Sequence, residues 1–360
     1  MPDFTPVAVG IDVGGTKTHV RAGAGGGAGS GSDPGSGSGL GSGLGSGPDP
    51  LTDAGAVAGS AAESVAAVAA AAAEAAVAAA AAGAGAAGTV ADHVRASTGW
   101  RPHDPVSAAA WLAALIDDVL PRGTRPAAVA VGGHACETPR QCEEIRSALQ
   151  ALLHVPCRVV GDAELLVPAA GLDKGVGLVA GTGSVAVGLL PDGTAIQVGG
   201  WGAVLGDEGG SAGLVREAAR AVWAARDRGE PPDVLADRLT AAFGVPEVPA
   251  LGAALESAAD VSAEWGRHAP SVFAAAEEGS SLARAVIAEG GRSLARLVVL
   301  LAGRGVPVDD VVVAGGAVLG RPVLYEAFTA ALAEALPSTR PRPLRVPPVE
   351  GAVALARALV

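Results

Sequence analysis

Large rings are scarce in this chain. Aromatic residues make up 3% of its 360 positions, with one Tyr, four Phe and five Trp. Its cores must therefore be built mainly from Ala, Val and Leu, which bury less area per residue than rings do. Cysteine is nearly absent as well: Cys136, Cys142 and Cys157 form an odd set with no paired spacing. That excludes a disulfide framework and fits a reducing compartment, so the chain reads as cytoplasmic. Positive charge is short, with 25 Lys and Arg against 37 Asp and Glu and a formal net charge of -12. A surface of that sign repels phosphate backbones and anionic lipid, which argues against nucleic acid and membrane as partners. No basic stretch followed by an apolar one opens the chain, so no secretory signal is expected. The one run long enough to cross a bilayer, Ala61–Ala82, is made of weakly apolar Ala and is interrupted by Glu63 and Glu74. It reads as soluble helix.

The length is enough for two domains with separate cores. Near the start lie two tracts of low complexity. Residues 23–47 alternate Gly with Ser, Ala and Leu, a composition that buries too little surface to offset chain entropy and so predicts disorder. Residues 54–82 are rich in Ala, which favours helix but offers no stripe of large side chains to dock it. Elsewhere the apolar runs Val7–Val13, Ala127–Gly132, Arg158–Val160, Gly177–Val179 and Val311–Ala314 alternate with helical periodicity over Ser107–Leu120 and Pro139–Leu153. This is an α/β pattern. Alternating strands are expected at Thr18–Ala22, Thr89–Ser97, Ser184–Leu190 and Thr194–Val198, the last two joined by Pro191-Asp192-Gly193.

Three strand–glycine junctions carry the chemistry. In the first, Gly10-Ile11-Asp12-Val13-Gly14-Gly15-Thr16-Lys17, a buried strand ends in an acid and enters a Gly-rich turn. Backbone amides of Gly14 and Gly15 can approach phosphate oxygens, Thr16 and Lys17 add donors, and Asp12 can hold Mg²⁺ directly or through water. The spacing is not that of a Walker loop, and a plain hairpin turn would read the same way. The second, Ala180-Gly181-Thr182-Gly183-Ser184, repeats the arrangement about 165 residues later, which suggests two domains of similar build facing one nucleotide. The third, Val313-Ala314-Gly315-Gly316, lets backbone pass close to a flat ring.

With these three in order the chain resembles the actin, hexokinase and heat-shock chaperone superfamily. Gly199-Gly200-Trp201-Gly202 through Gly206-Asp207-Glu208-Gly209-Gly210-Ser211 is similar to the N-acetylglucosamine kinase branch of the BadF/BadG/BcrA/BcrD ATPase family. The resemblance covers roughly residues 7–22 and 89–360. It implies two ribonuclease H-like, actin-like ATPase domains facing each other across a nucleotide cleft, one from 1–23 and 89–173 and the other from 174–346. A low-complexity insertion of 24–88 interrupts the first, and a C-terminal helix in 347–360 is expected to return to it. It also implies ATP and Mg²⁺ as cofactors and an amino sugar as the substrate. N-acetylglucosamine, glucosamine and N-acetylmuramic acid stay open, and a homodimer is compatible.

The resemblance assigns Asp162, in Val159-Val160-Gly161-Asp162, as the base that takes the sugar hydroxyl proton, although an Asp here could also simply cap the following helix. It makes Thr182 a sugar contact as well as part of the second phosphate turn. Trp201 is expected to pack on the sugar and Asp207 to accept its hydroxyls, while Glu208 supports the loop. Thr98 and Gly99, before Trp100, stand where the family's sugar loop often carries Asn, and Gly133 faces the same cleft. A metal at His134, Cys136 and Cys142 is disfavoured by the spacing. Two other functions have signatures of their own. An ATP-hydrolysing activator of a partner enzyme would need cluster-ligating cysteines, and none lies beyond Cys157. A sugar-binding regulator would need a helix-turn-helix ahead of Val7, where only six residues stand.

Overall fold

The computed structural model describes residues 4–24, 88–136 and 138–360. The expected disordered tract and Ala-rich helix lie outside the described residues. Two five-stranded sheets organise the rest, each mixed and each covered by helices.

The first sheet has the order β3-β2-β1-β4-β5. Its strands are β1 (Thr5–Val13), β2 (Lys17–Ala24), β3 (Thr89–Ala96), β4 (Thr124–Gly133) and β5 (Cys157–Gly161). β1 and β2 form an antiparallel hairpin, and β1, β4 and β5 run parallel. β2 pairs with β3 through Ala22↔Ala91 and Gly23↔Thr89. The segment between β2 and β3 therefore joins neighbouring strands, whose spacing is about 4.8 Å. β1 and β4 extend beyond their apolar runs because backbone pairing of Thr5 with Thr124 carries polar residues into the ladder. Pro126 is accommodated in β4 at the register shift between Val7 and Ala8, where β5 does not yet pair.

Helix α1 (Pro105–Val119) begins where Asp104 accepts the Ser107 amide, and α2 (Pro139–Leu153) where Thr138 accepts that of Gln141. In both, a proline fills the first helical position, whose amide would have no partner. Ile11, Leu112, Ile145 and Leu149 centre the core between these helices and the sheet.

The second sheet has the order β10-β9-β6-β7-β8. It comprises β6 (Val176–Ala180), β7 (Ser184–Leu189), β8 (Ala195–Gly199), β9 (Asp310–Ala314) and β10 (Arg340–Pro343). β10 has no apolar signature and was not legible in the sequence. It is an edge strand of Arg and Pro, held because Asp310 accepts from Arg340 and Arg342. Those guanidinium groups hold the Asp310 carboxyl down at about 2. Helices α3 (Ser211–Asp227), α4 (Val234–Phe243), α5 (Ala269–Glu277), α6 (Ser281–Gly303) and α7 (Pro322–Ala335) cover this sheet. Phe328, Leu178, Leu214, Leu235, Leu239 and Leu251 are the large fully buried side chains here, so the core is mostly aliphatic.

The last helix, α8 (Val349–Arg357), packs on β1 and β4 of the first sheet. Its backbone lies so close that a Cβ at Gly10 would meet Val353 N at 2.4 Å. It also supplies Glu350 to Arg21, which is buried in the first sheet and bonds Asp92 at 2.6 Å as well. The lobes meet where the chain leaves β5. A short 3-10 turn (Asp162–Leu165) crosses β6, and a Cβ at Gly177 would sit 2.3 Å from Ala163 O.

Arg21→Met removes the guanidinium shared by Asp92 and Glu350, leaving Asp92 only His19 as partner among the described residues, and is expected to lower stability by about 3 kcal/mol in urea unfolding. Replacing residues 25–88 by a two-residue Asn-Gly turn is expected to leave the unfolding midpoint within about 5 °C of the full chain, since β2 and β3 are already paired neighbours. A collapse of the cooperative transition would show that the connection is structural.

Candidate active site

Parallel pairing aligns the chemistry of the first lobe. Asp12 stands opposite Gly132, and Gly133 opposite Gly161, so the C-terminal ends of β1, β4 and β5 share one edge. Asp12, Gly133 and Asp162 all emerge there. Burial, aided by the negative charge of Asp162, raises the Asp12 carboxyl to about 7. No hydrogen bond to the Asp12 side chain is recorded among the described residues, so a half-buried acid faces a second acid. That is an arrangement a hard cation would relieve, with one or two carboxylates and phosphate oxygens as its ligands. Asp162 Oδ1 accepts from its own neighbour Ala163 N at 2.8 Å, which leaves Oδ2 toward His134 Nδ1 at 3.6 Å. The capping reading and the base reading of Asp162 thus use different oxygens.

The first turn, Gly14–Thr16, is closed by Gly14 N donating to Lys17 O at 3.0 Å. Gly15, Thr16 and Lys17 are exposed. Ser97 N donates to Thr16 O, and Thr18 Oγ1 meets Ser97 Oγ at 2.8 Å, so this turn is tied to the loop after β3. In that loop Thr98 is exposed, while Trp111 lies so close to Gly99 that a Cβ would overlap its ring at 2.1 Å. No side chain fits at Gly99, so any polar contact from this loop falls to Thr98. Trp100 donates from Nε1 to His134 O at 2.8 Å and covers Gly133. His134 was set aside in the sequence with the metal reading. Its imidazole edge stands 3.7 Å from where a Cβ of Gly15 would be, between the first turn and Asp162. Among the described residues no three His, Cys, Asp or Glu gather into a metal cluster, and the three cysteines are free and buried.

In the second lobe, the turn Gly181–Gly183 is closed by Gly181 N donating to Gly183 O at 3.0 Å. The first amides of α3 donate to it, Ser211 N to Gly181 O at 2.8 Å and Ala212 N to Thr182 O at 3.0 Å. These amides have no partner within their own helix. Asp207, 6% exposed and with φ at 59°, accepts Ser184 N at 3.1 Å, and Ser184 Oγ donates to Glu208 O at 2.8 Å. A Cβ at Gly183 would fall 2.6 Å from the Asp207 carboxylate. Asp207, expected to accept sugar hydroxyls, is thus placed as a brace beneath the second turn, and burial pushes its carboxyl up. Glu208 supports the loop through its carbonyl. Trp201 is 70% exposed, beside the exposed Val204 and Leu205 on a single helical turn (Gly202–Leu205). Arg216 was missed in the sequence. It pins this segment by donating to the carbonyls of Ala203 and Gly206.

β9 runs parallel to β6 and pairs Ala314 with Val179, which lays Gly315 against the second turn. Gly315 has φ at 112°, and a Cβ there would sit 2.2 Å from Ala180 O. Only glycine fits both demands. The space around Gly316 is open. The second turn and the Gly315-Gly316 pair are therefore one continuous surface of exposed backbone.

The family model of the BadF/BadG/BcrA/BcrD ATPase family matches residues 158–356. The chain belongs to this ATPase family. A search of curated proteins gives no match. Among solved structures, a candidate N-acetylglucosamine kinase from Chromobacterium violaceum is 19% identical, with a TM-score of 0.59 over 98% of this chain and 99% of that one. The ROK hexokinase of Thermus thermophilus is 15% identical, with a TM-score of 0.51 over 97% of each chain. At such identities the likeness is one of fold, and it places this member of the family in the two-domain α/β architecture of actin-like ATPases and sugar kinases.

The Asp12 carboxyl gives a test of the site's electrostatics. In the unfolded chain it ionises near 3.8 and in the folded chain near 7, so between those values the folded state holds the extra proton. Its contribution to stability is full below about pH 4 and is lost as pH rises to about 7. In urea unfolding with EDTA present, the stability of Asp12→Asn relative to the native chain is expected to grow across that window. A difference that stays flat with pH would show that Asp12 is not strained.

Proposed function

We propose that this protein is a carbohydrate kinase that transfers the γ-phosphoryl group of ATP to a hydroxyl of an amino sugar, with Asp162 as the base. The observation that carries the reading is the shared edge of β1, β4 and β5, where Asp162 stands beside the acid of the first Gly-rich turn in a chain of an ATPase family. The turns at Gly14–Lys17 and Gly181–Ser184 present backbone amides and the Thr16, Lys17 and Thr182 donors to the phosphates, and Gly315-Gly316 lies along the adenosine. Asp12 would hold Mg²⁺, which supplies neutralisation of the phosphate charge.

Thr98, exposed beside Gly99, contacts the sugar, and Trp201 closes on it from the second lobe. Asp162 Oδ2 orients one sugar hydroxyl toward the γ-phosphorus. As the new oxygen–phosphorus bond forms, the bond to the β-phosphate oxygen breaks and ADP leaves, and the hydroxyl proton passes to Asp162. Such a transfer depends on positioning and charge stabilisation, so the base need act only late. Asp207 shapes the second turn rather than touching the sugar. The site acts in the cytoplasm, in line with three unpaired thiols and an acidic surface. Those thiols are all buried in the first lobe, which weighs against a cluster-bearing activator.

ADP release should be measured against N-acetylglucosamine, glucosamine, N-acetylmuramic acid and glucose. One of the amino sugars is expected to stimulate release at least tenfold, and Asp162→Asn to lower kcat by a factor of about 10² or more with the sugar KM within threefold. ATP hydrolysis equal with and without every sugar would overturn the kinase reading, and full turnover in Asp162→Asn would overturn the base.

A further inference from the structure

A cavity of about 560 Å³ lies at the junction of the lobes, away from the residues placed in the reaction. Its wall from the first lobe comes from Arg158 and Val160 of β5, from Glu164 and from Leu355 of α8; its wall from the second comes from the end of β7 and the turn that follows. The connection between lobes, including Lys174, closes it. Arg158 is at the start of β5 and Asp162 just past its end, about 13 Å of extended strand apart at 3.3 Å per residue. Likewise Val187–Leu189 form the end of β7 remote from Ser184. The cavity and the catalytic cleft therefore occupy opposite ends of the same strands.

The cavity's chemistry is uneven. Most of its lining is aliphatic or proline, and its volume is within the range of small-molecule sites. Arg158 and Lys174 are exposed and make no ion pair within 4 Å among the described residues. Of the two acids at the wall, Glu164 has one oxygen taken by Gly161 N at 3.0 Å, and burial raises its carboxyl against the opposing pull of the Arg158 charge. Asp173 is exposed on the rim. Two cations over an apolar floor complement a ligand with one anionic group and a hydrophobic body.

We propose that this cavity is a binding site for a small organic anion with an apolar frame, and that its occupancy favours closure of the catalytic cleft. The second part follows from the position. The lobes are in contact between cleft and cavity, where Gly177 meets Ala163. A rotation about that contact that narrows one end of the strands widens the other, so a ligand seated at the back is accommodated best when the front is shut. Glu164 couples the two ends directly, because it is bonded to the amide of the residue before Asp162.

The probe is 8-anilinonaphthalene-1-sulfonate, an aromatic sulfonate that fluoresces when it leaves water, titrated into the full native chain with saturating ADP present or absent. One saturable site is expected, not displaced by ADP. The double variant Arg158→Gln, Lys174→Gln is expected to raise its Kd at least fivefold. Ala354→Trp, an exposed position on the cavity wall, is expected to abolish binding with the melting temperature unchanged. Absence of saturable binding, displacement by ADP, or equal affinity in the variants would overturn the site. If the sugar assay yields a substrate, the probe is expected to lower its KM two- to threefold in the native chain and not in Ala354→Trp. An unchanged KM would overturn the coupling. The binding arms need no turnover, so they are decided even if the kinase reading fails.

Discussion

Two carboxylates are held at one edge of a parallel sheet, and one of them is denied enough water to ionise freely. That constraint organises the first lobe. The register of β1 with β4 and of β4 with β5 leaves Asp12 and Asp162 no way to separate without breaking the ladder. Their mutual repulsion is part of what lifts the Asp12 carboxyl to about 7. A folded chain tolerates such a pair when a cation or a proton stands between the acids, and sites that do chemistry are where this kind of tension is kept. The exposed residues Gly15 and Thr16 of the first turn lie at the same edge.

The second lobe answers with backbone instead of charge. Its Gly181–Gly183 turn is a hairpin clasped from three sides, by the first amides of α3, by the Asp207 carboxylate and by Gly315. Each clasp needs a close approach that a side chain would block. This explains the density of glycine from Gly199 to Gly213 without assigning every glycine to a ligand. A rigid turn made this way presents amide dipoles that are already oriented before a phosphate arrives, which is the condition for electrostatic stabilisation at little reorganisation cost.

The lobes are joined so that motion at one place has effects at another. The 3-10 turn carrying Asp162 crosses β6, and α8, the last helix of the chain, returns to β1 and anchors Arg21 through Glu350. Asp162, the junction and the C-terminal helix are therefore joined by direct contacts.

Much of this was legible in the sequence. Local apolar runs and glycine punctuation placed the strands at both Gly-rich turns and at Val311–Ala314, because those signals depend only on neighbours in the chain. The positions of Asp12, Asp162 and the two turns at strand ends were legible for the same reason, each being an acid or a glycine at the end of a buried run. What the sequence could not supply were relations between distant segments. β10 carries no apolar pattern and exists because Asp310 draws Arg340 and Arg342 to it. Asp207 is expected from the sequence as a sugar contact, and its burial as a brace appears only when Ser184 is folded over it. His134 gains a place beside Asp162 through strand register alone, and Glu164, three residues after Gly161, had only a weak capping signature to betray it. Sequence determined which segments could be strands, turns and acids, since that is local chemistry; tertiary structure decided which acids meet, which are buried and which share an edge with the Gly-rich turns, since proximity between remote residues is created by folding.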